Sequence, residues 1–314
     1  MRRLNILMLF LLVSVSLSAQ FVNNGATVTI QSGATLRVET DFINTSGTVT
    51  NNGTLEVQNN FTNSGTFTSA SGSTVKFIGT ANSNVTSGGA TFQNVSMEKT
   101  GQNITLMSPM AVAGTLTFTN DNNKVILGTH NLTINAGGSI ASADENEYVV
   151  TNSSGQLIKG LTANGTITHE IGDAAKYSPL SSVVTGSAYS SATLGARVVD
   201  AVHPSKPADA DSYLSRYWVV NASGITGYAN TMTGTYALSG DANGTTNDIK
   251  GATYHTADWH YNGSAANTGT PSVTASTTTA SVDLSGQNFF GRANLKAYLA
   301  GALPSGTTMT TTLN

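Results

Sequence analysis

A short phrase recurs through the first half of the chain and constrains its fold more than any other feature. Each copy has a glycine, one or two small residues that include threonine or serine, and then one apolar residue. A unit this short cannot bury its own apolar side, so repeats of this kind stack as successive coils. The phrase therefore predicts a β-solenoid. Its copies begin at Gly25, Gly33, Gly47, Gly53, Gly65, Gly72, Gly89 and Gly114.

The runs that follow the glycines alternate apolar and polar residues. Residues 27–30, 55–57 and 75–77 are apolar at every second position, with Thr, Glu or Lys between. That period is typical of a strand with one buried and one solvated face. Asn and Gly break the runs, and both tolerate the left-handed backbone of tight corners. We expect the phenylalanines of this region in the core, and asparagines at equivalent corners in hydrogen-bonded ladders.

The length of one coil follows from the spacing of the glycines. Gly33, Gly53 and Gly72 lie about 20 residues apart. About six coils then fit into residues 21–141, and at roughly 4.8 Å per coil the stack is about 30 Å long. The alternative is a flat antiparallel sandwich of many hairpins. Irregular runs without clean two-residue hairpin turns favour the solenoid.

The pattern changes after a small acidic cluster at residues 144–147. The strands lengthen and large aromatic residues enter, as in residues 216–220 and 258–261. Several strands at this spacing, separated by turn signals, predict an antiparallel β-sandwich. Trp218 and Trp259 are expected in its core, since a lone tryptophan on a strand is usually buried.

The N-terminus has the three parts of a secretory signal peptide. Arg2 and Arg3 precede an apolar run at residues 6–17, and the small residues Ser18 and Ala19 follow. The run is short for a membrane span, which predicts an exported chain without one. The predicted division is a signal peptide at 1–19, a β-solenoid at 20–147, a sandwich at 148–292, and the start of a further module or a linker at 293–314.

The composition excludes several classes of function. Charged residues are 10% of the chain, and the formal net charge is −3. No basic footprint for nucleic acid or for a membrane surface is present. The chain has no cysteine, which excludes disulfides, thiolate metal sites and a lipoprotein anchor.

The second half resembles the modular extracellular proteins of gram-negative bacteria that are cargo of the type IX secretion system. The resemblance rests on residues 171–180, 216–218 and 282–290, with 295–314 similar to the segment that commonly follows. It implies a solenoid or repeat region followed by an immunoglobulin-like sandwich, in a secreted or cell-surface protein that is often adhesin-like. The C-terminal sorting domain of that family is missing here, so the resemblance does not by itself extend to secretion by that route. The tail at 294–314 looks like the opening of a third module, from which we expect a fragment of something longer.

Two groups of histidines are candidate metal ligands. His169-Glu170 begins like a zinc-protease motif, but Asp173 stands where the second histidine belongs and the surroundings favour strands over the required helix. His255, Asp258 and His260 lie close in sequence. On one continuous strand, Asp258 and His260 would share a face and His255 would lie on the other, which favours ordinary strand ends.

Two acidic loops are candidate calcium sites. Residues 241–248 offer hard oxygen ligands from Asp241, Asn243, Asn247 and Asp248, but they lack the terminal Glu of a calcium loop. A hairpin turn is the competing interpretation. The acidic cluster at 144–147 has suitable oxygens too, but close ligand spacing alone is weak evidence and a solvated turn is the favoured interpretation.

Threonines at outward positions, beginning with Thr27 and Thr29, predict rows of hydroxyls like those of some ice-binding proteins. We expect Arg37, Glu56 and Lys76 to interrupt these rows.

No catalytic residue, cofactor or metal is assigned from the sequence. The leading hypothesis is a non-catalytic extracellular adhesin-like protein, with the solenoid as a rigid spacer and the sandwich as a connecting or adhesive module. Its partner is an extracellular polymer or a cell-surface molecule, and not nucleic acid. The alternatives are a polysaccharide-acting β-helix enzyme, by fold analogy, or a carbohydrate-binding module. The enzyme requires Arg37, Glu39 and Glu56 to converge in a deep cleft.

Overall fold

The computed structural model describes residues 20–151, 153–264 and 269–288, and nearly all of its regular structure is strand. The expected signal peptide (1–19) and the expected further module (293–314) lie outside these residues. In the first half the strands are β1 (Phe21–Ile30), β2 (Thr35–Val38), β3 (Phe42–Asn51), β4 (Thr54–Val57), β5 (Phe61–Asn63), β6 (Thr66–Ser69), β7 (Thr74–Gly79), β8 (Ser83–Thr86), β9 (Thr91–Phe92), β10 (Asn94–Lys99), β11 (Ile104–Leu106), β12 (Met110–Val112), β13 (Thr115–Phe118), β14 (Lys124–Ile126), β15 (Leu132–Ile134), β16 (Ser139–Ala141) and β17 (Tyr148–Val150).

The second half has longer strands and two short helical turns. They are β18 (Leu157–Leu161), β19 (Gly165–His169), β20 (Ile171–Gly172), β21 (Leu180–Thr185), β22 (Ala188–Val199), β23 (Tyr213–Leu214), β24 (Tyr217–Thr226), β25 (Ala229–Thr235), the turn α1 (Leu238–Asp241), β26 (Ala242–Asn243), a 3-10 turn (Thr246–Asp248), β27 (Lys250–His255), β28 (Asp258–His260), β29 (Ser272–Thr277) and β30 (Ser281–Gln287).

The first half is a parallel β-solenoid, as the sequence predicts, but with about 7 turns rather than about six. Each coil contributes a strand to each of three faces. The first face contains the start of β1 and β3, then β5, β8, β11, β14, β17 and β20. The second face contains the end of β1 and β3, then β6, β9, β12, β15 and β18. The third face contains β2, β4, β7, β10, β13 and β16.

The coil length is close to the expected 20 residues. Along the first face, Phe21, Phe42, Phe61, Val85 and Leu106 are successive register partners, which gives coils of 19 to 24 residues. Parallel pairing continues past residue 147, because β17 pairs with β14 and β20 pairs with β17. The solenoid and the following strands thus share hydrogen-bonded sheets, and the division at 147/148 stays a prediction.

Apolar columns fill the space between the three faces. The rings of Phe21, Phe42 and Phe61 stack with centroids 5.0 and 4.8 Å apart. Phe67 and Phe92 meet the Phe61 ring edge-on. Apart from the half-buried Phe21, these rings are buried, which confirms that the phenylalanines form the core. Phe42, for example, stacks on Phe21 of the coil before and on Phe61 of the coil after, so the core forms between coils and one coil alone cannot supply it.

A ladder of asparagines runs beside the stacked rings, as expected from the corner positions. Asn23 Nδ2 donates to Asn44 Oδ1 over 2.9 Å, and Asn44 Nδ2 donates to Asn63 Oδ1 over 2.7 Å. Asn63 Nδ2 continues to the Ser87 carbonyl over 3.0 Å. All three side chains are buried. Each amide therefore satisfies its neighbour and fixes the register of one coil on the next.

Lys99, at the end of β10, is the one fully buried lysine among the described residues. Its ammonium donates to the carbonyls of Gln58, Ile78 and Ala81 over 2.9, 2.9 and 2.7 Å. Burial lowers the pKa of Lys99 to about 8. Through its three hydrogen bonds, the Lys99 side chain connects the coil of β10 to the two coils before it.

The strands after the solenoid form two sheets packed face to face. The second face of the solenoid continues through β18, which pairs in parallel with β15 and antiparallel with β22. Beyond β22 come β24 and β30, while β19, β21, β25 and β29 form a separate antiparallel sheet. A Cβ added at Gly234 of β25 would meet the Trp218 ring of β24 at 2.7 Å, which shows how closely the sheets approach. This arrangement confirms the all-β fold class, a solenoid followed by an antiparallel sandwich.

Candidate functional site

A buried charge cluster stands where the last coil meets the sandwich, and its centre is Arg216. This side chain is fully buried at the start of β24. Its Nη2 donates to Asp173 Oδ2 over 3.0 Å, to Asp200 Oδ1 over 3.2 Å and to Asp241 Oδ1 over 3.0 Å. Its Nε lies 2.8 Å from Asp241 Oδ2, an ion pair by distance without hydrogen-bond geometry. Nη1 donates to Ser178 Oγ.

Two carboxylates of the Arg216 cluster, Asp173 and Asp241, make further contacts that fix their own segments. Asp173 Oδ1 accepts the backbone N–H groups of residues 175 and 176, over 2.7 and 2.9 Å. Asp241 is fully buried and takes a second cation, Lys176, over 2.8 Å. Its Oδ2 also accepts the N–H of Ala237 over 2.7 Å. The cluster thus joins the loop after β20, the end of β22, the start of β24 and α1.

A cleft of about 480 Å³ lies beside the Arg216 cluster. Its polar walls come from Thr151, Ser153, Asp173, Arg197 and Asp200. Asp173 is committed to Arg216 and to its own turn, and Thr151 Oγ1 accepts the N–H of Val198 over 3.0 Å. Asp173 and Thr151 therefore stabilise the junction of the two halves, which is a structural role.

His169 has a structural position. It ends strand β19, so the helix that the zinc-protease motif needs is not formed here. Its ring is fully buried, and burial lowers its pKa to about 3, so the imidazole is neutral. Nε2 donates to the Leu194 carbonyl over 2.9 Å, because a carbonyl can only accept. Glu170 pairs instead with Lys159 over 2.6 Å.

The expected placement of His255 is wrong. Residues 255–260 are a hairpin rather than one strand: β27 and β28 pair antiparallel, with His255 opposite Asp258. Thr256 and Ala257 make the turn at φ 51° and 58°, a left-handed conformation that neither residue signals in the sequence. The hairpin brings the rings of His255 and His260 into a parallel stack with centroids 3.8 Å apart.

The stacked pair is poorly shaped for metal. A metal ion lies near the plane of each imidazole that ligates it, and two parallel rings cannot both point at one ion. The third candidate, Asp258, accepts the N–H of Trp259 over 2.9 Å. Burial, and after it the neighbouring His260, lowers the pKa of His255, which keeps the pair from charging together.

In the two acidic loops, the carboxylates of Asp241 and Asp144 bind groups of the protein itself. Asp241 faces Arg216, so its carboxylate is not directed toward Asn247 and Asp248. Asp144 Oδ1 accepts the N–H of Asn146 over 2.7 Å, and this bond leads the causes that lower the pKa of Asp144. Glu147 is buried, which raises its pKa. Across the part of the chain that is described, no three His, Asp or Glu side chains are grouped to hold a metal ion.

The charged residues of the solenoid form pairs on an open surface. Arg37 Nη1 lies 3.4 Å from Glu56 Oε2, and Arg37 Nε lies 3.6 Å from Glu39 Oε1. The side chains of Arg37 and Glu39 are 55% and 59% exposed. These three residues therefore meet on adjacent coils, but on the exposed third face and not in a deep cleft.

The expectation that charges interrupt the threonine rows is wrong. Arg37, Glu56 and Lys76 are in register on the third face. The threonine rows that begin at Thr27 and Thr29 stand on the second face, and they contain no charged residue. One row is Thr27, Thr48 and Thr66, and the other is Thr29, Thr50 and Thr68. The chain turns a corner between these faces, which a linear pattern does not reveal.

Both tryptophans are buried, as expected. Trp218 Nε1 donates to the Ser178 carbonyl over 2.9 Å, and Trp259 Nε1 donates to the Ser205 carbonyl over 2.8 Å. Sequence reasoning missed Arg216 and Lys99. The available signal was local: Arg216 leads an otherwise apolar strand, where an unpaired charge would be costly to bury. No sequence pattern around Arg216 indicates which carboxylates it pairs with.

A scan against protein-family models, a search of curated proteins and a search of solved structures each gave no match. Over the residues that the structure describes, no helix has the length and apolar content to cross a membrane.

Proposed function

We propose that this protein is a non-catalytic extracellular structural protein of the adhesin-like kind. The solenoid acts as a stiff spacer, and the sandwich, which we take to be immunoglobulin-like, connects or adheres. Type IX secretion cargo is the class it resembles, and a secreted or cell-surface location follows from that resemblance and from the signal-peptide pattern. Its partner is an extracellular polymer or a cell-surface molecule.

The observation that carries the proposal is the junction. A single strand, β18, belongs to both halves, since it pairs in parallel with β15 and antiparallel with β22. The Arg216 cluster then locks the loop after β20 onto β24. A hydrogen-bonded sheet and a buried ion cluster across one junction support a rod that transmits orientation, unlike two domains on a flexible linker.

The charge pattern favours a non-catalytic role over a polysaccharide-acting enzyme. General acid–base or nucleophilic cleavage of a glycosidic bond requires two carboxylates facing the same sugar. Glu39 and Glu56 both lie against Arg37 on an open face, and Asp173 and Asp241 both bind Arg216. Each of these carboxylates is paired with a guanidinium, and Asp173 and Asp241 also accept backbone N–H groups.

Two measurements on the chain from Gln20 to Asn314 test the proposal. Small-angle X-ray scattering should fit one rigid particle, with no broadening that a hinge near residue 151 would produce. Incubation with a panel of polysaccharides should release neither reducing ends nor unsaturated products. A hinged ensemble would refute the spacer, and released product would refute the non-catalytic role.

A further inference from the structure

A second cleft lies on the second face, where the last parallel strands of the solenoid meet the antiparallel strand β22. Its volume is about 330 Å³. Thr133 and Asn135 line one wall, and Tyr189, Ser191 and Thr193 line the other. None of the described residues that line it is charged. The cleft thus combines one aromatic ring with hydroxyl and amide groups, which both donate and accept hydrogen bonds.

The ring of Tyr189 is held in place from outside the cleft. Its hydroxyl donates to Asn164 Oδ1 over 2.6 Å, and the same oxygen accepts the N–H of Gly186 over 2.8 Å. The ring is half-buried against the core. An aromatic face that is already fixed loses little conformational entropy when a ligand packs on it.

The backbone beside Tyr189 is irregular. The pairing of β22 with β24 shifts register between Tyr189 and Thr193. Inside that shift Ser191 has φ 46°, an uncommon conformation for a residue with a Cβ. Bulges of this kind redirect side chains and occur often beside binding sites. Here the bulge lies at the lip of the cleft and orients Tyr189 and Thr193 toward the solenoid.

The surface that leads to the cleft has the same chemistry. On the second face, Thr91 and Thr133 are both register partners of Ala111. Phe67 and Phe92, which follow Thr66 and Thr91, touch with centroids 5.6 Å apart, so this column continues the row of Thr27, Thr48 and Thr66. An uncharged row of hydroxyls and methyls therefore runs along the coils and ends at the cleft.

We propose that this cleft binds a neutral polysaccharide. One sugar ring packs on Tyr189, and the hydroxyls of that sugar form hydrogen bonds with Thr133, Asn135 and Thr193. The C–H face of a sugar is apolar and suits an aromatic ring, while its hydroxyls match groups that donate and accept. The absence of charge from the described lining favours a neutral chain over an acidic one. The rest of the chain lies along the threonine row. This inference rests on the proposed function and names the partner class for its adhesive part.

The experiment is a calorimetric binding titration of the chain from Gln20 to Asn314. The ligands are cellohexaose, maltohexaose, mannohexaose and chitohexaose. Polygalacturonate is the charged comparator. We expect at least one neutral oligosaccharide to bind, with an affinity unchanged between about 50 mM and about 500 mM NaCl, because no ion pair contributes. Tyr189→Ala should weaken binding about tenfold through the loss of the packed ring.

Two variants separate the cleft from general damage to the fold. Tyr189→Phe keeps the ring and should keep most of the affinity. Thr133→Val removes one hydroxyl from the cleft and should weaken binding. Its matched control, Thr117→Val, removes an equivalent half-exposed hydroxyl from the third face and should leave binding unchanged.

The outcomes are distinct. If no neutral oligosaccharide binds, or if Tyr189→Ala binds as the parent does while its circular dichroism is unchanged, the inference is overturned and the rigid spacer still stands. If only polygalacturonate binds, the neutral partner is wrong. If product appears in the same samples, the non-catalytic function fails even though the cleft binds sugar.

Discussion

The two halves of this molecule are held together by contacts of different range. In the solenoid, the asparagine ladder joins residues 21 and 19 positions apart, which is one coil. In the sandwich, Arg216 reaches Asp173 across 43 positions, and His203 Nε2 meets Asp283 Oδ2 at 3.1 Å across 80. The solenoid thus repeats one neighbour-to-neighbour contact, whereas the sandwich depends on a few contacts that occur once.

That difference determines what a substitution does. Each coil contacts only the coils beside it, so a substitution in one coil should lower the stability locally and in part. A unique buried ion cluster has no neighbour that repeats it, and removing its centre leaves charges without compensation. Both tryptophans of the chain lie in the sandwich, so their fluorescence reports on that half, and far-UV circular dichroism reports on both.

The largest effect is expected at Arg216. Arg216→Met keeps the apolar stem but leaves the buried Asp241 with only Lys176, so the sandwich should lose about 3–5 kcal/mol of unfolding free energy. Urea unfolding followed by tryptophan fluorescence measures this. A matched control is Arg37→Met, whose exposed pairs contribute at most about 1 kcal/mol. Adding Asp241→Asn to Arg216→Met should restore part of the loss, and equal midpoints for Arg216→Met and the parent would contradict the role of the cluster.

The next effect depends on pH and belongs to the solenoid. In the folded chain the pKa of Lys99 is about 8, against an ordinary value of 10.5. Between those pH values the unfolded chain binds more protons, so raising the pH should stabilise the fold. The gain is on the order of 3 kcal/mol at most. Below pH 8 both states are protonated, and this dependence disappears.

Circular dichroism melts between pH 8 and pH 10, compared with those of Lys99→Met, isolate the Lys99 contribution. The variant should lose the rise with pH, while Lys76→Met, which removes a partly exposed lysine paired with Glu98, should keep it. Parallel pH profiles for the parent and Lys99→Met would show that the ammonium is not responsible.

The smallest effect tests the ladder. Asn44→Ala removes the middle amide and leaves Asn23 and Asn63 each without one buried partner, so we expect a loss of about 1–3 kcal/mol. Urea unfolding followed by circular dichroism should show it, with tryptophan fluorescence changing less. The control is Asn24→Ala, an exposed neighbour whose Oδ1 accepts from Ser46 Oγ. A loss in Asn24→Ala as large as in Asn44→Ala would mean that burial of the ladder is unimportant.

The features that the sequence could predict lie mostly in the solenoid, and those that it could not predict lie mostly in the sandwich. The Gly-Thr-apolar phrase and the corner asparagines are local signals, and they predict the coils, the buried phenylalanines and the presence of asparagine ladders, though not that Asn44 is the middle residue of one. The Arg216 cluster could not be predicted, since its carboxylates come from three separate segments. The His255 hairpin was missed because Thr256 and Ala257 are unusual turn residues. The cleft at Tyr189 was missed because a bulge and a sheet junction create it.

The asparagine ladder has a direction, because each Asn Nδ2 donates a hydrogen bond to an oxygen of the following coil. In the first described coil, Asn23 Oδ1 accepts the N–H of its own Ala26 over 2.9 Å, at the position where the amide of a further coil would donate. A further coil bearing an asparagine at this corner could therefore join the stack with one local exchange of partners. Duplication of a coil-length stretch of the gene would lengthen the rod with only that exchange of partners, so rod length is a trait that selection can adjust in whole steps.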